Sequence, residues 1–329
     1  MASVDVAGEF ETIRKLLAPL AHPDHAWGLS DDVAVMPTRP GADLVLTKDA
    51  IIEGVHFLAE DPLDTVAQKL LRVNLSDLAA KGAEPFGYML ACHWSPRCGW
   101  PEREAFAAGL ARDQAEYGIH LLGGDTVRTP GPASFSVTML GWAPRGGSVT
   151  RGGARPGHGI YVTGTIGDGV LGLQAARGHL KLEPERIDAL AEHYRRPVPR
   201  LEFGQAVQGL VSAIMDVSDG LLADLGHIVA SSGVSATVQL EALPRSAATT
   251  AWFDTRTDAE AALETLATGG DDYELLFTAD PSDESALRRE ADRLRLRLTR
   301  LGTIGQGRGV TATYLDKLVA IQKPGYTHD

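Results

Sequence analysis

The chain has little cysteine: Cys92 and Cys98 are the only two among 329 residues. Their spacing fits neither a CxxC redox pair nor a paired zinc knuckle, which excludes a disulfide scaffold and a sulfur-bound zinc. Two structural thiols in a reducing, cytoplasmic setting are expected. Positive charge is also scarce, with 31 Lys and Arg against 43 Asp and Glu and a net charge of −12. A nucleic-acid binder needs a basic face for phosphates, so that class is excluded. A nucleotide substrate is not, because a bound cation can reverse the sign of a site. No apolar run approaches the roughly 20 residues of a spanning helix, so no membrane partner is expected. The opening "MASVDVAGEFETIRKLL" lacks the basic start and apolar run of a signal peptide. No lysine precedes Ser or Thr, which removes the G-x-x-x-x-G-K-[ST] phosphate loop, and the kinase triplet H-R-D is missing.

What is present divides into two parts. "GEFETIRKLLAPL" reads as an opening helix and "DLVLTKDA" (43–50) as a strand. "LDTVAQKLLRVNLSDLAAKGAEP" has helical apolar spacing and stops at the Gly82 to Pro85 punctuation. "FGYMLACHW" and "SFSVTMLGWA" are β-rich, with a helical "PEREAFAAGLARDQAEYG" between them. This half reads as mixed α+β. "PRGGSVTRGGARPGHG" (144–159) looks like a boundary, placing one domain at 1–148 and a second at 149–329. Beyond it, helices such as "EPERIDALAEHY" and "GLLADLGHIVASS" alternate with strands such as "SATVQL", "DYELLFTA" and "LTRLGTIG", an α/β pattern. "NLSDLAAKGA" (74–83) weakly echoes "DVSDGLLADLG" (216–226), which fits two strand-to-helix turns of one common type slightly better than two related halves.

The acids carry the chemistry. Asp31, Asp32, Asp49, Asp77, Asp125, Asp216, Asp219, Asp271 and Asp272 all stand where an apolar run meets a glycine-rich or polar turn. Alone, Ser76–Asp77 and Ser218–Asp219 would be ordinary helix N-caps, worth roughly 1 kcal/mol each. Gathered at strand ends, where α/β proteins place ligands, they would repel one another unless a divalent cation offset the charge. Oxygen-only donors point to Mg²⁺, which binds through a few carboxylates plus substrate phosphates. Asp224, one turn further along its helix, reads as solvent-facing. "LLGGDT" (121–126) reads equally as a close backbone approach to a phosphate or as a turn needing positive φ. Arg151 and Arg155 could fork onto phosphate oxygens or simply form a solvated linker. His56 alone reads as a structural side chain. Gly167, Gly169 and Gly172 satisfy G-x-G-x-x-G after the strand "IYVTG", but the following "LKLEPERIDALAEHYRRP" reads as helix where a dinucleotide fold needs a strand.

With those acids and glycines in view, the chain resembles the thiamine-monophosphate kinases. These belong to the ATP-binding superfamily that also holds aminoimidazole ribonucleotide synthetase and selenide water dikinase. The resemblance is carried, in order, by "GLSDDVAV", "TKDAIIEGVHF", "NLSDLAAKGAEP", "LLGGDT", "TRGGARPG", "YVTGTIGD", "MDVSDGLLADLGHI" and "GGDDYELLF". It implies an N-terminal α+β domain that forms a dimer sheet and binds ATP and Mg²⁺, a C-terminal α/β domain, and ATP in a cleft at the interface of a homodimer. It implies ATP as co-substrate and thiamine monophosphate as acceptor, the product being thiamine diphosphate at the last step of its biosynthesis. Position by position, Asp32, Asp49, Asp77, Asp125, Asp216 and Asp219 would hold several Mg²⁺ ions, with oxygens of Thr47 and Lys48. Asp49, Asp77, Asp125 and Asp216 would be those through which the metal assists catalysis, with no covalent catalytic group. Gly124, Asp125, Arg151 and Ser218 would contact ATP, and His56 and Asp271 the thiamine phosphate. The chain departs from the family in having Asp271 where Glu is usual, Lys48 where relatives often have Thr, and Lys323 where some relatives place an aromatic.

Overall fold

The computed structural model describes residues 8–326, which form two compact units. One comprises the chain up to Leu78 with Ala83–Gly146; the other comprises Ala79–Gly82 with the chain from Gly147 onward. Both mix helix and strand, as the two-domain α+β and α/β expectation requires.

In the first unit the opening segment is helical but not one α-helix. A single α turn, α1 (Glu9–Thr12), runs into a π turn over Ile13–Leu17 and a 3₁₀ turn over Ala18–Leu20. There follow β1 (Ala42–Ile52), α2 (Leu63–Ala80), β2 (Glu84–Trp94), α3 (Trp100–Tyr117), β3 (His120–Arg128) and β4 (Ser134–Pro144). The strands form a sheet of order β1-β4-β2-β3, so β1 and β3 are its outer strands. One face is covered by apolar side chains of α2 and α3. Leu70, Leu71, Leu75 and Leu78 are completely buried, each contributing about 1.5–3 kcal/mol by leaving water. The helices are tied by a buried fork in which Arg72 donates to both oxygens of Asp113 at 2.8 and 2.9 Å. Trp94, Phe106 and Phe135 pack ring on ring behind them. On the other face Leu44, Leu46, Ile52, Met89 and Val127 are exposed.

The second unit is built on a sheet of order β11-β10-β7-β9-β5-β8-β6. Its strands are β5 (Gly159–Thr163), β6 (Ala213–Asp216), β7 (Ser235–Gln239), β8 (Leu275–Ala279), β9 (Leu298–Gly305), β10 (Gly309–Tyr314) and β11 (Lys317–Val319). Only β7 and β10 pair in parallel. The alternation read from the sequence is present, but these connections serve a mostly antiparallel sheet. The helices are α4 (Asp168–Ala176), α5 (Pro184–Arg195), α6 (Leu201–Val207), α7 (Leu221–Ser232), α8 (Ala247–Phe253), α9 (Ala259–Thr268) and α10 (Glu284–Arg293). Leu221, Leu225 and Ile228 of α7 pack on Val162, Met215 and Leu276 of the sheet. That packing fixes where the turn before α7 stands. Among the described residues no helix is long and apolar enough to cross a membrane.

Candidate active site

In the first unit, Asp49 and Asp77 meet. Asp49 lies inside β1 and Asp77 in the last part of α2, so neither is at an element start, and Asp77 is no N-cap. The Thr47 hydroxyl donates to Asp77 Oδ2, and the Asp49 amide donates to Asn74 Oδ1 at 3.1 Å. Asn74 is itself held by the Leu70 carbonyl at 2.9 Å. Burial first, and then the charge and hydrogen bond of Asp77, push the Asp49 carboxyl up to about 6. Two carboxylates and a hydroxyl converge here. The Lys48 charge opposes that rise, and its ammonium donates to Ser136 Oγ at 3.2 Å. Such an oxygen-only, charge-loaded set suits Mg²⁺.

Other expected residues are not brought to this pair. Asp125 lies inside β3, on the opposite outer strand. Three inter-strand steps separate it from Asp49, roughly 14 Å at about 4.8 Å per step. Gly124 is likewise no turn: it sits within β3 at φ 152°, and a Cβ there would come 1.8 Å from the Leu90 carbonyl oxygen of β2. Asp32 lies in an exposed loop, its amide held by Asp31 Oδ1 at 2.7 Å. His56 forms the turn after β1, where Nδ1 accepts the Ile52 amide at 3.2 Å and its carbonyl accepts Lys69 at 3.0 Å.

In the second unit, Asp216 ends β6 and is buried, and Ser218 and Asp219 form the turn before α7. Asp224 does not face solvent. It is 1 % exposed, and its Oδ2 accepts the amides of Ser218, Asp219 and Gly220 at 3.0, 3.1 and 3.2 Å. The cap of α7 is thus an acid from its own first turn reaching back, a role that neither Ser218 nor Asp219 fills. Burial, with the Asp219 charge added, lifts the Asp224 carboxyl to about 7 against those three donors. Among the described residues, Asp219, Asp224 and His227 are the one group of three metal-capable side chains with ligand atoms within 4.8 Å of one another. Asp271 adjoins this turn: its amide donates to the Ser218 carbonyl at 2.9 Å, and Tyr273 donates to its Oδ1 at 3.2 Å. It holds φ 71°, a left-handed conformation that aspartate tolerates. Arg151 is exposed in the loop before β5, where its carbonyl accepts from Ser232.

Both parts match known domains: the AIR synthase related protein N-terminal domain over residues 30–143 and its C-terminal domain over residues 155–315. A thiamine-monophosphate kinase of Caulobacter vibrioides is 48 % identical over 321 residues, spanning 97 % of this chain and 90 % of the relative. The chain belongs to the thiamine-monophosphate kinase family. The crystal structure of such a kinase from Stenotrophomonas maltophilia superposes with a TM-score of 0.81 at 38 % identity, covering 92 % of this chain and 94 % of that one. A structure described as AaThiL complexed with AMPPCP and TMP superposes with a TM-score of 0.77 at 28 % identity, covering 93 % and 97 %.

For a thiamine-monophosphate kinase, the glycines of 167–172 need another explanation than dinucleotide binding, and packing provides it. The amides of Gly167 and Gly169 donate to the fully buried Asp272 at 2.9–3.1 Å, and a Cβ on Gly172 would meet the Leu190 carbonyl at 2.3 Å. The next element is the helix α5, not a strand. Asp272, expected among the ligand-side acids, and Asp224, expected to face solvent, instead hold backbone. Each is a buried acid that accepts backbone amides; an Asp in the first turn of a helix after a glycine is the signal for Asp224, whereas the partners of Asp272 lie over 100 residues away and leave no local signal.

Proposed function

We propose that this chain transfers the γ-phosphoryl group of ATP to thiamine monophosphate by Mg²⁺-assisted, direct in-line displacement, giving thiamine diphosphate and ADP. The observation that carries the reading is the Asp49–Asp77–Thr47 set, whose mutual repulsion a divalent cation offsets. When bound, Mg²⁺ would neutralise phosphate charge and so let two polyanions approach. The proposed ligands are Asp32, Thr47, the Lys48 carbonyl, Asp49, Asp77 and Asp125 of the first unit, and Asp216 and Asp219 of the second. Gly124, Asp125, Arg151 and Ser218 are assigned to ATP, and His56 and Asp271 to the acceptor. The attacking atom is a phosphate oxygen with a second pKa of about 6, already ionised at neutral pH, so no general base is required. The chain's own work is to hold phosphates in line and to anchor the residues that face them.

The split between Asp49 and Asp125 supports a homodimer. One ion with ligand distances of about 2.0–2.1 Å cannot take both from outer strands of one sheet. The contact would run along the outer strands β1 and β3, which bring Asp125 of one copy to the β1 edge of the other, and would take in the adjoining apolar face, where Leu44, Leu46, Ile52, Met89 and Val127 are 37–57 % exposed. A second copy placing its Asp125 beside Asp49 and Asp77 completes the set. The reaction is tested by single-turnover transfer from γ-labelled ATP. Label is expected to pass to thiamine diphosphate only when Mg²⁺ is present, with none on the protein. Product formed equally well in EDTA, or a labelled protein competent for turnover, would refute the mechanism.

A further inference from the structure

The turn from Val217 to Gly220 is held from every side. Asp224 Oδ2 takes the amides of Ser218, Asp219 and Gly220. The carbonyls are taken too: Val217 by the Tyr273 amide at 2.8 Å, Ser218 by Asp271 at 2.9 Å, and Asp219 by Tyr326 at 2.9 Å. Gly220, at φ 125°, fits only without a Cβ, which would lie 2.7 Å from the Thr268 carbonyl. Three amide dipoles aimed at one point repel one another unless negative charge sits there, and a carboxylate supplies it. The other oxygen, Oδ1, is buried with no hydrogen-bond partner among the described residues, so what keeps a carboxylate at this place is its hold on the turn.

We propose that Asp224 is the positioning residue of the second unit. It fixes Ser218 and Asp219 and, through that turn, ties them to the acceptor-side Asp271 and to the C-terminal Gly325–Tyr326 segment as one hydrogen-bonded body. The inference rests on the assignment of Asp219 to metal and Ser218 to ATP. Gly325 belongs to the same arrangement, because a Cβ there would lie 2.4 Å from Ala223 and 2.7 Å from the Asp219 carbonyl. Asp224 touches no substrate in this account; it acts by holding the backbone that does.

The test compares Asp224→Ala and Asp224→Asn with Asp219→Asn and His227→Ala. Three quantities are read: steady-state kinetics, the Mg²⁺ concentration for half-maximal rate, and amide hydrogen exchange of residues 218–220 without ligands. Asp224→Ala is expected to raise the Mg²⁺ requirement about tenfold, to lower kcat/KM for ATP about a hundredfold, and to speed exchange of the three amides at least about tenfold. Asn keeps a neutral acceptor, so Asp224→Asn should recover most of the rate, with exchange between the two. His227→Ala should leave all three readouts unchanged. A folded Asp224→Ala protein with wild-type Mg²⁺ response and amide protection overturns the inference, as does a His227→Ala variant with the same Mg²⁺ defect, which would make Asp224 a ligand rather than a support. If Asp224→Ala does not fold, Asp224→Asn decides: wild-type protection of all three amides overturns the inference. Asp219→Asn separates the two layers. If it leaves the Mg²⁺ response unchanged, the metal assignment fails; if it shifts the response and Asp224→Ala does not, only the positioning role fails.

Discussion

Replacing Asp77 with Asn is expected to lower thiamine diphosphate formation roughly a thousandfold while leaving the fold intact. The amide is isosteric, and the Thr47 hydroxyl can still donate to its oxygen, so the α2–β1 contact survives. What goes is one of the two charges that make the site attractive to a cation. A pH signature accompanies the loss. Without metal, the Asp49 carboxyl stays protonated up to about 6, because burial and Asp77 disfavour its charge. A ligand must be deprotonated, so in the unaltered protein the apparent Mg²⁺ affinity should climb as pH rises from about 5 to about 7. In Asp77→Asn the repulsion is gone, the Asp49 pKa moves back toward the ordinary carboxylate range, and the rise should shift to lower pH. Circular dichroism, steady-state rates and Mg²⁺ titrations at several pH values check this. A rate within about threefold of the unaltered protein would remove Asp77 from the metal set.

The second large effect concerns a glycine. Gly124→Ala puts a methyl group 1.8 Å from the Leu90 carbonyl oxygen, at a φ of 152° that L-residues rarely adopt. Backbone cannot yield as a flexible side chain can. Strain of about 1–3 kcal/mol and overpacking of about 1–3 kcal/mol together remove much of a typical domain's margin. Any folded fraction carries a displaced Asp125. The expected result is a melting temperature lower by about 10 °C or more and a rate down at least about a hundredfold. Gly123→Ala is the control. Its Cβ would meet only the flexible end of Met89 at 3.1 and 3.3 Å, so it should melt and turn over nearly as the unaltered protein does. Equal tolerance of both substitutions would mean that β3 does not run this close to β2.

These two positions also show what the sequence conveys. Alternating and helical apolar periods located β2, β4, α3 and α5 correctly, because each buries one face against the core. The acids of the site were legible as residue types, since carboxylates beside glycines and apolar runs are costly without a compensating charge. Their placement was not. Asp49 and Asp125 read as strand-end residues, and Gly124 equally as a close backbone approach or as part of a turn, because periodicity says nothing about which strand lies beside which. The order β1-β4-β2-β3, which separates Asp49 from Asp125, is set by long-range pairing alone. The solvent-facing expectation for Asp224 fails for a related reason. Its partners are backbone amides four to six residues earlier, and a hydrophobicity pattern does not count backbone donors. The opening segment kept helical character but not one helical type, which composition does not distinguish.

The measurement that bears most directly on the account is complementation between inactive subunits. Asp77→Asn and Asp125→Asn proteins are purified, dissociated, mixed in equal amounts and reassociated, and Mg²⁺-dependent conversion of thiamine monophosphate to thiamine diphosphate is followed with ATP. If each metal set takes Asp49 and Asp77 from one copy and Asp125 from the other, half of the dimers are mixed and each regains one intact site. About a quarter of the unaltered activity should then return, abolished by EDTA. If the mixture stays as inactive as its parents although mixed dimers have formed, the carboxylates do not act across two copies, and the proposed assembly of the site is wrong.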